Sequence, residues 1–258
     1  MTQEAPFRIE VGQRSDVGRV RAENQDSATS SYAIPVMPLA SKGRLLVVAD
    51  GMGGQSGGAT ASRLATATVK DSYYFGATQD LGESLRAAIA SANQKINSEA
   101  SADQSLEGMG STCSALVIKG REAFFGHVGD SRIYRVRDGQ IEQLTEDHSV
   151  VATLLKSGLI TTEQAAKHPA RNQLMRAIGP LPLVDIDISP PFPIREGDVF
   201  ILCSDGLHGV VTSEEIRDIG RASAPQGAVD QLVDLALSRG APDNVTVIVA
   251  RIEAPAPQ

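Results

Sequence analysis

The 258-residue sequence has no tryptophan, only two cysteines and 4% aromatic residues. Two thiols in a chain of this length do not make a disulfide scaffold, and without CxxC spacing they offer no zinc ribbon or thioredoxin-type site. Cys113 and Cys203 each sit in an apolar, strand-like run and read as buried, reduced core residues. No uninterrupted apolar stretch approaches the ~18 residues that mark a membrane-spanning helix. The opening "MTQEAPFRIE" also lacks the basic-then-apolar layout of a signal peptide. A cytoplasmic location is therefore expected. A basic excess is lacking too: 24 Lys and Arg against 31 Asp and Glu leave a net charge of −7, with the two signs interspersed. That argues against a nucleic-acid partner and against an anionic membrane surface. It fits a solvated acidic surface, and equally a protein that gathers carboxylates around cations.

What is present is an ordinary soluble composition, 41% apolar, long enough for one large core. Strand-like runs are "FRIEVG" (Phe7 to Gly12), "RLLVVAD" (Arg44 to Asp50), "STCSALVIK", "REAFFGHVG", "SRIYRVRDG", "QIEQLT", "DVFILCSDG" and "NVTVIVARIE". Helical patterning covers Ser56 to about Phe75, Glu83 to about Ala100, Asp147 to Lys156, Thr161 to about Ile178, Ser213 to Gly220 and Gln226 to Ser238. Strands flank helices instead of alternating with them, which predicts α+β architecture with antiparallel sheets. No internal repeat or linker divides the chain, so residues 1–258 are expected to form one domain, and the final "APAPQ" reads as a frayed tail.

Carboxylates recur where strands begin or end. Asp50 closes "LLVVAD" and Asp205 closes "FILCSD", each followed by glycine. Asp243 in "APDN" precedes "VTVIVA", Asp26 lies in "NQDS" before a short extended run, and Asp130 in "HVGDSR" falls between two strands. Taken singly, Asp-Gly is a hairpin turn, and Asp138 in "RDGQ" is assigned to one. Asp50 and Asp205 differ because each leads through glycines toward a helix. Converging carboxylates repel and raise one another's pKa unless cations neutralise them. An all-oxygen donor set matches Mg²⁺ or Mn²⁺, with Ca²⁺ a further hard cation of the same class. Gly51 lets the backbone approach closely and present its carbonyl. A P-loop is excluded, since no Gly-Lys-Ser/Thr completes the glycine run. The four histidines, His127, His148, His168 and His208, show no ligand spacing and read as packing or surface residues.

Taken together, "SDVGRVRAENQDS", "VVADGMGG", "MGSTCSALVI", "HVGDSRIY", "TEDHSVV", "HPARNQLMRAIG", "FILCSDGL" and "APDNVTVIV" resemble, in order, the metal-dependent serine/threonine protein phosphatases, the PPM family (type 2C), in their bacterial form. The resemblance runs from about Gly12 to Val249. It implies a four-layer αββα sandwich, two antiparallel β-sheets flanked by helices, with a flap subdomain at about residues 147–179. It implies Mn²⁺ or Mg²⁺ as cofactor, two ions and a third in some members. Asp50, Asp205 and Asp243 are expected to hold one metal, Asp50 and the Gly51 carbonyl the second, with Asp26 in or beside its water shell. Asp130, with Asp205, matches the third position, and Arg21 the arginine that grips substrate phosphate. Arg21 in isolation reads as a surface salt bridge. The implied reaction is hydrolysis of phosphoserine and phosphothreonine by a metal-activated water, reversing kinase signalling. The implied partners are phosphoprotein substrates and a cognate serine/threonine kinase, with the chain acting as a monomer. Two departures stand out from animal members: Gln25 replaces a glutamate, and Met52 replaces the histidine after Asp-Gly, which leaves the general acid unassigned.

Two other functions compete. A phosphoprotein-binding pseudoenzyme predicts loss of Asp50, Asp205 or Asp243, and none is lost. A two-metal hydrolase of small phosphoesters or nucleic acid fits the carboxylates, but the acidic balance counts against nucleic acid.

Overall fold

A strand that is apolar over consecutive positions needs cover on both faces, and several strands of this chain have it. The computed structural model describes residues 7–30, 42–53 and 57–255. Its first sheet orders β1 (Arg8–Asp16), β12 (Val245–Glu253), β11 (Val199–Cys203), β7 (Arg132–Arg137) and β8 (Gln140–Gln143). The second orders β10 (Phe192–Pro193), β6 (Glu122–Val128), β5 (Cys113–Lys119), β3 (Arg44–Met52) and β2 (Asp26–Ser30). The short β4 (Gly110–Ser111) pairs with β3, and β9 (Asp187–Ile188) with β6. Every pairing is antiparallel.

Alternation along each strand sends side chains to two different cores. On β3, Leu45, Val47 and Ala49 pack under α1 (Gly57–Phe75) and α2 (Leu81–Ala102). Leu46 and Val48 pack against the other sheet, on Phe200, Leu202 and Ile248. On β11 and β12, Ile201, Cys203, Val247 and Val249 face α5 (Asp205–His208), α6 (Ser213–Ala222) and α7 (Pro225–Ser238). The layers are thus helix, sheet, sheet, helix, the αββα sandwich expected. Full burial of each Leu, Val or Ile contributes about 1.5–3 kcal/mol, so the two-sided strands are the most strongly held parts of the chain.

Several boundaries differ from expectation. β1 runs on past Gly12 to Asp16, because its ladder with β12 continues to Val245. β3 does not stop at Asp50: Gly51 and Met52 pair with Ser111 and Gly110. The helical pattern over 161–178 yields only α4 (Thr162–Ala166), opened by a capping box of Thr161 and Gln164. Pro169 follows, and the chain then turns back, with Leu174 bridging Ser149 and Ile178 bridging Ser111. The helix expected from Asp147 starts at Val150 as α3 (Val150–Lys156), capped by Ser149. The expected helix start at Ser56 and the last three residues of the tail lie outside the described residues. Asp138 turns as expected, at φ +50°. Both cysteines are free and buried, and burial pushes each thiol up to about 12. Among the described residues no helix is long and apolar enough to cross a membrane.

Candidate functional site

The strand ends deliver the predicted carboxylates to one edge of the sandwich from both sheets. Asp26 opens β2 and lies directly across the ladder from Asp50. Asp205 opens α5 just after β11, and Asp243 stands two residues before β12. Asp130 sits in the crossing from β6 to β7, that is, from one sheet to the other. A cleft of about 720 Å³ covers this edge, and Arg21, Asp50, Gly51, Asp130, Asp205 and Asp243 all line it. Asp26 is not on that wall. It lies behind, 9% exposed, at a separate groove shared with Arg14, Ser15 and Asn24.

Burial dominates the electrostatics, and like charge adds to it. Burial first, then Asp26, Asp205, Asp130 and Asp243, hold the Asp50 carboxyl well above the usual range. Burial lifts Asp26 to about 7 against a hydrogen bond donated by Ser204 Oγ to its Oδ2 at 2.7 Å. Asp130 rises to about 7 through burial and the nearby Asp205, with Arg132 opposing. Asp205 rises to about 6 through burial and Asp243, opposed by a hydrogen bond with Asp50 and by Arg21. Arg21 itself, half exposed, donates to Asp243 Oδ2 at 2.7 Å. The surface-type ion pair is therefore present at this arginine, but its acid is one of the clustered carboxylates.

Two buried oxygens, Asp26 Oδ1 and Asp205 Oδ1, have no hydrogen-bond partner. Buried polar atoms are nearly always satisfied, so two orphaned carboxylate oxygens beside further acids point to a cation. The donors are all oxygen, which fits Mg²⁺ or Mn²⁺. Among the described residues no three His, Cys, Asp or Glu side chains already converge as a ligand cage. The acids are instead tied up separately, Asp50 with Asp205, Asp243 with Arg21 and Asp26 with Ser204. These are pairings that un-neutralised carboxylates adopt.

Glycine is required at Gly51 for a reason other than carbonyl access. A Cβ there would lie 2.0 Å from the Gly58 carbonyl oxygen and 2.6 Å from that of Gln25. Gly206 repeats the arrangement, with the Asn244 carbonyl oxygen at 1.9 Å.

Three polar residues that the sequence did not single out hold the site together. Asn244 accepts from the Gln25 N–H at 2.8 Å and donates to the carbonyls of Val17 and Glu23, fastening the Arg21 loop to the start of β12. Thr112 Oγ1 accepts from the Asp50 N–H at 2.8 Å and lies 2.7 Å from Ser131 Oγ. Ser204 joins Asp26 to the other sheet, accepting from the Thr246 N–H at 3.0 Å. Asn244 and Ser204 each stand beside a predicted acid, Asp243 and Asp205, but that adjacency does not name their partners. The histidines are structural as expected: His127 lies 3.1 Å from the Glu146 carbonyl and His208 lies 3.0 Å from that of Asp130.

This fold, with acids at the sheet ends, is that of a known family of hydrolases. A family model described as protein phosphatase 2C matches residues 20–237. The serine/threonine protein phosphatase PstP of Mycobacterium tuberculosis is 38% identical over 242 residues, 93% of this chain and 44% of its own. The serine/threonine phosphatase stp of Listeria welshimeri is 34% identical over 92% of this chain and 93% of its own length. A crystal structure of the PstP catalytic domain in complex with two manganese ions superposes with a TM-score of 0.82 at 36% identity, covering 96% of this chain and 100% of that one. The chain belongs to the protein phosphatase 2C family. It spans less than half the length of the mycobacterial relative and nearly all of the Listeria one.

Proposed function

We propose that the chain is a metal-dependent serine/threonine protein phosphatase. The observation that carries this reading is the meeting of buried carboxylates, two of their oxygens orphaned, beneath a cleft that has an arginine on its wall. Asp50, Asp205 and Asp243 are assigned to one Mn²⁺ or Mg²⁺, Asp50 and the Gly51 carbonyl to a second, with Asp26 behind them. Asp130 with Asp205 is assigned to a third. Paired divalent cations supply an acidified water and charge neutralisation at a phosphoryl group. The manganese in the related PstP structure supports that choice of ion.

The chain's own residues do the rest. Thr112 and Ser111 fix the Asp50 backbone, and Asn244 fixes the loop that presents Arg21. Arg21 pairs with Asp243 at 2.7 Å; were Asp243 to hold a cation, the planar guanidinium would be left to take phosphoryl oxygens in bidentate fashion. Met52 lines the cleft and has no proton to give to the leaving serine or threonine oxygen. The segment 147–179 contributes Asn172 to Ala177 to the cleft wall and is assigned as a flap over the substrate. The further assignments are a single phosphatase domain, a cytoplasmic monomer and a partner serine/threonine kinase.

The test is direct. The purified chain hydrolyses a phosphothreonine peptide in Mn²⁺ and stops in EDTA. Asp205→Ala loses more than the ~10–100-fold typical of outer-shell changes at metal sites. Turnover that persists in EDTA overturns the reading.

A further inference from the structure

One stretch of the cleft wall exposes large apolar side chains. Met175, Leu181 and Leu183 line it at 60%, 65% and 80% exposure. They are three of the seven large apolar side chains exposed among the described residues. Their exposure is not that of a loose loop. Asn93, on α2 and 2% exposed, donates from Nδ2 to the carbonyls of Leu181 and Pro182, both at 3.0 Å. Its Oδ1 accepts from the Gly179 N–H at 2.7 Å, and Asn97 donates to the Gly179 carbonyl at 2.8 Å. Pro180 and Pro182 fix φ on either side of Leu181. On the same wall, the Met175 N–H donates to the His148 carbonyl at 2.8 Å. A buried asparagine amide is thus spent on holding leucines out into water, where apolar area is unfavourable unless something covers it.

We propose that Met175, Leu181 and Leu183 form a docking surface for bulky apolar side chains flanking the phosphorylated residue of a protein substrate. The inference rests on the phosphatase reading above. The occupant is a substrate segment because the wall is continuous with the cavity that holds Arg21 and the carboxylates. Whatever covers the wall therefore sits beside the reacting phosphate. Charge gives an acidic flank little to gain: Asp185 shares this wall, its Arg176 already donates to Asp187 Oδ1 at 2.8 Å, and the chain is net negative. Because Asn93 and the prolines hold the leucines in place, little ordering entropy is lost on docking.

The experiment compares two phosphothreonine peptides, identical except for leucines or glutamines on both sides of the phosphothreonine, with Mn²⁺ and the full chain. The expected result is a kcat/KM about tenfold higher for the leucine peptide, expressed in KM, as a partly open apolar contact gives. Leu181→Gln/Leu183→Gln brings the ratio to about one, and Leu183→Met retains it. Circular dichroism is expected to be unchanged, since both side chains are exposed. Equal kcat/KM for the two peptides with the parent protein overturns the docking surface and leaves the phosphatase reading standing. No turnover of either peptide overturns both. A dimer in analytical ultracentrifugation that the double variant dissociates also overturns it, by assigning the wall to a second copy.

Discussion

Asp205 is held at about 6 against an ordinary 3.8, and the sign of its effect on stability follows. Between those values the folded chain binds more protons than the unfolded one, so stability falls as pH rises through the window. Asp26 and Asp130, at about 7, carry the same trend upward. In EDTA the protein is therefore expected to lose stability between about pH 4 and 7, with Asp205 alone contributing on the order of 2–3 kcal/mol. Asp205→Asn removes the cost of burying this charge and, with it, the repulsion from Asp243: its urea midpoint in EDTA at pH 8 is expected to lie above the parent's while phosphatase activity disappears. A midpoint at or below the parent's refutes a destabilising buried charge at this position. Asp50 and Asp205 were readable from sequence because each closes an apolar run, and Asp243 because it stands just ahead of one. Asn244 and Ser204 were not, since their partners lie far along the chain: Asn244 and Gln25 are 219 residues apart.

The joint between β3 and α1 depends on two backbones in contact. Gly51 lies against the Gly58 carbonyl with no room for a methyl group, and its N–H donates to the Gln25 carbonyl at 3.1 Å. Gly51→Ala must push α1 away from the strand or break that bond, at a cost of about 1–3 kcal/mol, the usual range for overpacking. Thermal unfolding checks the stability loss, and calorimetric Mn²⁺ titration checks the weaker binding expected when Asp50 shifts with its strand. A fully active, equally stable Ala variant contradicts the packing. The alternation on β3, β11 and β12 was readable because both faces are apolar. The stretch after α4 was not: Leu174 and Ile178 keep a helical spacing, yet Pro169 and backbone pairing to Ser149 and Ser111 override it.

The acids come from opposite sides of a seam. Asp26 and Asp50 belong to one sheet, and Asp205 and Asp243 flank strands of the other, with the Ser204–Asp26 hydrogen bond already crossing between them. Neutralising the cluster draws both sheets together at one edge. Mn²⁺ is expected to slow amide hydrogen exchange in step at residues 26–30, 203–206 and 243–246, while the remote edge strand β8 is unchanged. Protection confined to one sheet contradicts a shared site. The layers were legible as apolar runs and the antiparallel class as strands clustered without intervening helices. Strand order was not, because β1 pairs with β12 and β7 with β11, neighbours that no local pattern links.

Asn93 gives the helix layer a say in what the cleft admits. Its side chain sets where Leu181 and Pro182 stand by their carbonyls. The aperture is therefore governed from its outer side, through a helix whose far face is open to solvent. A change on that face can move the cleft wall while Arg21 and the carboxylates stay the same.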